Sequence, residues 1–322
     1  MSIERPTTID LMQTEERPGR DGIVLVDKSA GETSFQVVKR FRRALKIKKV
    51  GHAGTLDPFA TGLLIMLLGQ ATKLSPYIMS GVKQYQGTIH LGVETDTLDP
   101  EGRVTHVRAV PSFRLEQIQE VVRTFIGEIE QIPPSYSALK YKGKRAYAWA
   151  RQGVRVELPK RVVRIHSIEI RSIDLPDITM EIRCSGGTYI RRLAADIGNS
   201  LGPGAHLKSL RRLSNGPFSV QNAMESGAMG DFMDSRYIWE RMISLKDSLV
   251  DMKEIQVDDP MTHKIRNGYR PKWEELFAGS TSFKEYDGPI KVVNGSTLIT
   301  VMEIKRVTGE NQDWFKKMRV FH

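Results

Sequence analysis

Residues 63 to 68 read Leu-Leu-Ile-Met-Leu-Leu, six apolar side chains without a polar interruption. An element with one wet face carries polar residues at the strand or helix period, so a run with none must be buried. Covering it takes a sizeable core. A chain of 322 residues can build one, as a single large domain or as a main domain with a smaller one attached. No internal repeat or low-complexity tract breaks the sequence.

Other segments declare themselves around that run. Ile23 to Asp27 is a short β-branched stretch followed by a turn at Ser29-Ala30-Gly31, which predicts a buried strand. A helix is expected from Ser34 to Lys46, with Phe35, Val38, Phe41 and Leu45 on its apolar face. Gly51 to Pro58 is glycine-punctuated and predicts a loop. Tyr85 to Leu91 has strand character, and a polar loop follows from Thr95 to Gly102. A helix over Leu115 to Phe125 carries Leu115, Ile118, Val121, Val122 and Phe125 on one face, ended by Gly127. Strands are expected at 165–173 and 178–184, a helix from Tyr189 to Leu201 stopped by Gly202-Pro203-Gly204, and a helical stretch near 235–248. Short strand-like runs at 290–293 and 298–301 mark 251–322 as a small β-rich second domain, after a main domain of 22–250 and a tail of 1–21.

The formal charge is +10, which suits a polyanionic partner without requiring one. Its distribution is more informative. The far face of the first helix carries Lys39, Arg40, Arg42, Arg43 and Lys46, and Lys48 and Lys49 follow, with no acid between them. A solvated face usually mixes signs, so either solvation or phosphate contact fits this one. Between 132 and 164, Tyr136, Tyr141, Tyr147 and Trp149 alternate with Lys140, Lys142, Lys144, Arg145, Arg151, Arg155, Lys160 and Arg161. Aromatic faces for unpaired bases beside cations for phosphates is a composition for binding single-stranded or looped nucleic acid. The single cysteine, Cys184, cannot close an intrachain disulfide, and no Cys/His cluster has zinc-ligand spacing. With a polar N-terminus and no apolar run of membrane length, a cytoplasmic protein without membrane or metal is expected. Nothing matches the motifs of nucleotide-driven or metal-driven chemistry.

Asp57 stands in Gly54-Thr55-Leu56-Asp57-Pro58, where an acid before proline serves as a turn former. The basic helix upstream makes it electrostatically awkward and calls for a compensating cation, which would lower its pKa. Ser185-Gly186-Gly187-Thr188-Tyr189-Ile190-Arg191-Arg192 offers one, although spacing alone does not tie Arg191 to Asp57.

At these residues the chain resembles the TruB family of pseudouridine synthases. The resemblance rests on Gly22 to Lys28, Lys49 to Gly62, Lys83-Gln84-Tyr85, Thr95 to Asp99, Pro133 to Lys140, Gly187 to Arg191 and Leu210 to Leu213, in that order across about 22 to 215. It implies an α+β fold with a central mixed, mostly antiparallel sheet, and, more loosely, a small PUA-like β-barrel at the C-terminus. It also implies isomerisation of a uridine at position 55 in the T loop of tRNA, without cofactor or metal, by a protein expected to be monomeric.

Carried over residue by residue, Asp57 matches the essential aspartate, Tyr85 the tyrosine that stacks on the target base, and Arg191 the arginine paired with the aspartate. His52 matches the histidine that enters the T loop, with Tyr189 beside Arg191 and Leu210 in the pocket wall. Lys28, Asp99, Lys140 and Arg212, from the same motifs, join the expected substrate-binding set. The segment 133–161 matches an insertion that folds over the RNA. One departure is Gly186-Gly187, where many members carry a lysine before Gly-Thr-Tyr. Two alternatives stay open, a guide-dependent synthase of the snoRNP type and a non-catalytic tRNA-binding or RNA-folding protein. The insertion argues against the first, and Asp57, Tyr85 and Arg191 together argue against the second.

Overall fold

The computed structural model describes residues 20–322 apart from 138, 151, 155, 228–234, 278–285 and 306–314. Of the expected tail, only Arg20 and Asp21 fall within the described residues. The chain opens with β1 (Gly22–Lys28), α1 (Ser34–Leu45), β2 (Val50–Ala53), β3 (Thr61–Leu68) and the short α2 (Ser75–Met79). Next come β4 (Lys83–Leu91), β5 (Val93–Thr95), β6 (Val104–Val107), α3 (Leu115–Arg123), β7 (Gly127–Gln131), β8 (Lys140–Tyr141), β9 (Lys144–Arg145) and α4 (Ala146–Ala150). They are followed by β10 (Arg161–Asp174), β11 (Asp177–Cys184), α5 (Ile190–Leu201), β12 (Ala205–Asn215), β13 (Phe218–Ser219), β14 (Met224–Glu225), α6 (Ser235–Trp239) and β15 (Ile243–Ser244). The last stretch holds β16 (Lys253–Gln256), α7 (Asp259–Arg266), α8 (Trp273–Phe277), β17 (Gly288–Asn294), β18 (Thr297–Ile304) and β19 (Phe315–Val320).

Eleven described strands form one sheet in the order β14-β1-β3-β12-β4-β11-β10-β7, with β2 also on β3, β13 on β12 and β15 on β1. The β1–β14 and β3–β12 pairs are parallel and the others antiparallel. This is the mixed, mostly antiparallel sheet that the α+β reading expected. Strands β16 to β19 form a second sheet in sequence order. Among the described residues that sheet is open, with no β16–β19 pairing.

The apolar run is β3, and the structure shows why it has no polar residue. Leu64, Met66 and Leu68 pack into a core with Val37, Val38 and Phe41 of α1 and Leu193 and Ile197 of α5. Leu63, Ile65 and Leu67 point to the other face, where they cluster with Val293, Leu298 and Val301 of the second sheet and with Phe321 just after it. One edge of β3 follows β1 along its length. The other edge is shared, with β12 at Thr61–Gly62 and β2 at Ile65–Leu68. The loop from Gly54 to Ala60 rises at that change of partner.

Local departures from the expectations have physical causes. Val50 to Ala53 is a strand and not part of the loop, because β3 offers a ladder partner that outweighs the glycine. In α1, Thr33 and Gln36 form a capping box. The buried stripe there is Val37, Val38, Phe41 and Leu45, whereas Phe35 is 54% exposed under the Lys39 ammonium. Helix α3 stops at Arg123, leaves Leu115 exposed, and Gly127 begins β7. Only Ser235–Trp239 of the stretch near 235–248 is α-helical. Strand β12 is absent from the expectations, since two bulges, at Leu207/Ser209 and Arg212/Ser214, break its alternation and a fully buried arginine interrupts its pattern.

Gly62 sits where β3 meets β12, at φ +96°, and a Cβ there would fall 2.3 Å from the Arg212 carbonyl oxygen and 2.7 Å from its nitrogen. Gly62→Ala is therefore expected to destabilise the chain by about 2–3 kcal/mol, read as a lowered thermal midpoint. An unchanged midpoint would mean that the two strands separate there without cost.

Candidate active site

The loop bearing Asp57 is held by backbone and side-chain bonds on every side. The Ser34 hydroxyl, at the start of α1, donates to the Leu56 carbonyl at 3.1 Å and accepts from the Leu56 N–H at 3.0 Å. The Ala60 N–H donates to the Asp57 carbonyl, and the Gly31 N–H to the Pro58 carbonyl. Lys28, fully buried, donates Nζ to the carbonyls of Ser29, Glu32 and Pro58. Arg212, also buried, donates Nε to the Leu63 carbonyl at 2.6 Å and Nη2 to the Gly54 carbonyl at 3.0 Å. Leu56 and Ala60 anchor the loop in the core, leaving the Asp57 side chain 33% exposed.

Arg191 holds that carboxylate from behind. It lies in the first turn of α5, after the Gly186-Gly187 turn, with its side chain 5% exposed. Its Nε stands 3.0 Å from Asp57 Oδ2, and its Nη2 donates to Asp57 Oδ1 at 3.3 Å. Nη1 reaches Asp99 Oδ2 at 3.0 Å and the Thr97 carbonyl at 2.9 Å, while Nη2 also donates to the Tyr136 carbonyl at 2.8 Å. One planar guanidinium thus ties the Asp57 loop, the β5–β6 connection and the segment after β7 to a helix start. Asp99 is buried and also accepts from the Thr97 hydroxyl and the Glu101 N–H.

Burial dominates the electrostatics. It pushes the Asp57 carboxyl above the ordinary carboxylate range, Arg191 opposes this, and the Asp99 charge adds to it. Arg191 lowers this pKa, as expected of an arginine partner, but the net shift is upward because desolvation exceeds the pairing gain. His52, on β2, is depressed by burial and by the Arg212 charge, so its ring is neutral at pH 7, and its Nδ1 is buried without a partner. Lys28 is lowered to about 8 by burial. Burial raises the Tyr85 phenol, which stays protonated.

The structure brings most of the expected residues together. Tyr85 on β4 faces Arg212 across the β4–β12 ladder, Leu210 lies two positions along β12, and both Tyr85 and Leu210 are largely buried. Tyr189 caps α5, its N–H donating to Gln131 Oε1 and its ring lying beneath the Arg161 guanidinium. Lys28, Asp99 and Arg212 were expected to meet substrate. Instead they are buried, and their charged atoms are taken by the protein around the Asp57 loop. Lys140 lies on the β8–β9 hairpin, and its side chain is outside the described residues.

Ser34 and the carbonyls of Thr97 and Tyr136 were not foreseen, and no local pattern marks a backbone acceptor. Gly186 explains its own departure, since a Cβ there would fall 2.7 Å from the Met79 carbonyl oxygen and 3.4 Å from Lys83 Nζ. Among the described residues no cluster of His, Cys, Asp or Glu is placed to hold a metal ion, and no helix is long and apolar enough to cross a membrane.

Residues 42–190 match the family model for the N-terminal domain of TruB family pseudouridylate synthase, and 191–255 match the C-terminal domain of tRNA pseudouridylate synthase B. The tRNA pseudouridine synthase B of Syntrophus aciditrophicus is 43% identical over 256 residues, covering 80% of this chain and 82% of that protein. The protein of the same name from Geotalea uraniireducens is 39% identical over 307 residues, covering 94% and 98%. Among solved structures, a chain of a Cbf5-Nop10-Gar1 complex superposes with a TM-score of 0.69 at 23% identity, covering 94% of this chain and 84% of that one. At that identity the likeness speaks for the fold.

Arg191→Met would leave two carboxylates close together without their cation, at an expected cost of about 3–5 kcal/mol at neutral pH. Burial and mutual repulsion already raise the Asp57 pKa in the folded state, and losing Arg191 raises it further. The penalty is then present above that folded pKa and fades as pH falls through it. Thermal midpoints of variant and parent should therefore converge between neutral and mildly acidic pH. A gap that does not change with pH would argue against this account.

Proposed function

Since the chain belongs to the TruB family of pseudouridine synthases, we propose that it converts uridine 55 in the T loop of tRNA to pseudouridine, with Asp57 as the catalytic carboxylate. The observation that carries this reading is the Asp57–Arg191–Asp99 contact chain, in which a buried arginine holds a partly open carboxylate. The names of the relatives at 43% and 39% identity favour a tRNA substrate over a guide-directed one.

The target base begins inside a folded loop, so it has to leave the stack at a cost of roughly a few kcal/mol. His52, neutral and planar, enters the vacated space without attracting phosphate. The extruded uracil packs between the Tyr85 ring and Leu210. There Asp57 assists cleavage of the C1′–N1 bond, by covalent attack or by stabilising positive charge on the sugar. The base rotates while enclosed and C1′–C5 forms, displacing the Asp57 carboxylate where it had bonded C1′; the C5 proton leaves to water and N1 takes one up. Arg191 fixes the carboxylate's direction, and Lys28, Asp99 and Arg212 act as positioning residues behind it.

The RNA would be gripped outside this pocket. In the 133–161 segment Lys142, Lys144 and Arg145 are exposed, Lys144 lies over the Trp149 ring, and Trp149 Nε1 donates to the Tyr141 carbonyl. We assign this segment as the RNA clamp, aided by the basic face of α1, with 251–322 as a small second RNA-binding domain. The working unit would be a cytoplasmic monomer that needs no metal or cofactor.

Purified protein should release one tritium per turnover from 5-tritiated uridine in a T-arm stem-loop. Asp57→Asn should abolish release, and the acid limb of the parent should lie above the ordinary aspartate pKa of about 3.9. Continued release by the variant would take Asp57 out of the mechanism. Replacing Lys142, Lys144 and Arg145 with alanine should weaken binding and flatten the slope of log K against log salt by about 0.7–0.9 for each phosphate no longer neutralised. An unchanged slope would place the clamp elsewhere.

A further inference from the structure

The chain leaves the main sheet after Gln131, the last residue of β7, and returns at Arg161, the first of β10. These two residues face each other as a ladder pair, and both reach the same turn. Gln131 is 1% exposed, and its carboxamide lies along the Tyr189 backbone. Its Oε1 accepts the Tyr189 N–H at 3.1 Å, and its Nε2 donates to the Tyr189 carbonyl at 3.4 Å. Arg161 donates Nη1 to the Gly187 carbonyl at 3.4 Å and lays its guanidinium over the Tyr189 ring, 5.5 Å from the centroid. A third tie is direct, since Arg191 Nη2 donates to the Tyr136 carbonyl at 2.8 Å. Pro133 and Pro134, both buried, stiffen the path from Gln131 to Tyr136.

The turn that receives these contacts leads straight to the site. Gly187 adopts φ +88°, a backbone state that glycine enters freely. Tyr189 gives α5 no side-chain cap, so Gln131 holds the helix start from outside. Two residues on, Arg191 grips Asp57 with Nε at 3.0 Å and Nη2 at 3.3 Å. A misplacement of about 1 Å, made far from the chemistry, can cost about a hundredfold in rate. Both ends of the 133–161 segment therefore bear on the helix start that aims the carboxylate.

We propose that Gln131 and Arg161 are positioning residues that couple the grip of the 133–161 segment on RNA to the aim of Asp57. RNA drawn onto Lys142, Lys144 and Arg145 loads the insertion, and the Gln131–Arg161 pair passes that load to the Gly187–Arg191 turn. Asp57 is then held in its working direction when RNA is gripped, and less firmly when it is not. Neither residue acts on the reacting atoms. The inference rests on the assignment of Asp57 as the catalytic carboxylate and of 133–161 as the RNA clamp.

Single-turnover tritium release at saturating protein separates this role from binding. Gln131→Met and Arg161→Met should each lower the saturated rate about tenfold. The RNA Kd of Gln131→Met should stay within about threefold of the parent, because the carboxamide is buried. Arg161 is partly exposed, so Arg161→Met carries the test if Gln131→Met does not fold. Replacing Lys142, Lys144 and Arg145 with alanine should also lower the saturated rate about tenfold, and adding Arg161→Met should cost little more, since both break one path. Independent structural losses would instead multiply to about a hundredfold. A parental saturated rate in any folded variant, or a multiplied loss, overturns the proposal. Should the parent release no tritium, the assignment of Asp57 falls, and hydrogen exchange still reads the coupling. Bound T-arm RNA should slow the amides of 190–193 about fivefold or more in the parent and, at equal occupancy, not in Arg161→Met. Equal behaviour of the two proteins overturns the coupling.

Discussion

Strand β3 is covered by α1 and α5 on one face and by the second sheet on the other, and its six central side chains are essentially inaccessible. Burying side chains of this kind contributes about 1.5–3 kcal/mol each, so the strand anchors both layers. It also carries a hazard. In most strands a one-residue slip is resisted because it turns polar residues inward, whereas here both faces are apolar and the pattern gives no such resistance. Register has to come from elsewhere, and β12 supplies it at two points. Gly62 allows the Arg212 backbone to approach where any side chain would block it, and Arg212 Nε bonds the Leu63 carbonyl.

That registration fixes the site. The Asp57 loop leaves β2 and enters β3 where β3 changes edge partner, so the loop cannot shift without moving the doubly buried strand. Arg212 bonds its first residue, Lys28 bonds Pro58 near its end, and Ser34 clamps Leu56 between them. Each of these groups is charged or polar, buried, and satisfied by backbone oxygens or N–H groups. The desolvation they incur holds one carboxylate in place, and removing Arg212 or Ser34 would take a partner from the backbone groups it bonds.

Much of this is legible in the chain and some is not. The run at 63–68 announces burial because hydrophobicity is a local property of the sequence. The strands at β1, β4, β10 and β11 and the helices α1 and α5 follow from period and punctuation, and the ordered motifs bring Asp57, Tyr85 and Arg191 into one frame. Strand β12 is hidden because bulges and a buried arginine disrupt its alternation. The inward positions of Lys28 and Arg212 are hidden for a related reason. A lysine or arginine reads as surface until the carbonyls that receive it are known, and those belong to segments far along the chain. The net direction of the Asp57 shift is hidden because a sequence names a partner but not the depth at which the pair sits.

Depth also settles how a basic protein can present an acid to RNA. The exposed cations, Lys39, Arg42, Arg43, Lys46, Lys48 and Lys49 on and after α1 and Lys142, Lys144 and Arg145, lie outside the pocket, where phosphates can reach them. Inside, Arg191 and Arg212 point their charge at protein oxygens, His52 is neutral, and Lys28 is spent on three carbonyls. A phosphate entering the pocket would meet Asp57 with Asp99 close behind it and no free buried cation among the residues that brace the loop. An uncharged base meets no such barrier. A sugar that gains positive charge as its base departs is attracted by the same pair of carboxylates, so in the proposed reaction one arrangement excludes the backbone and favours the transition state.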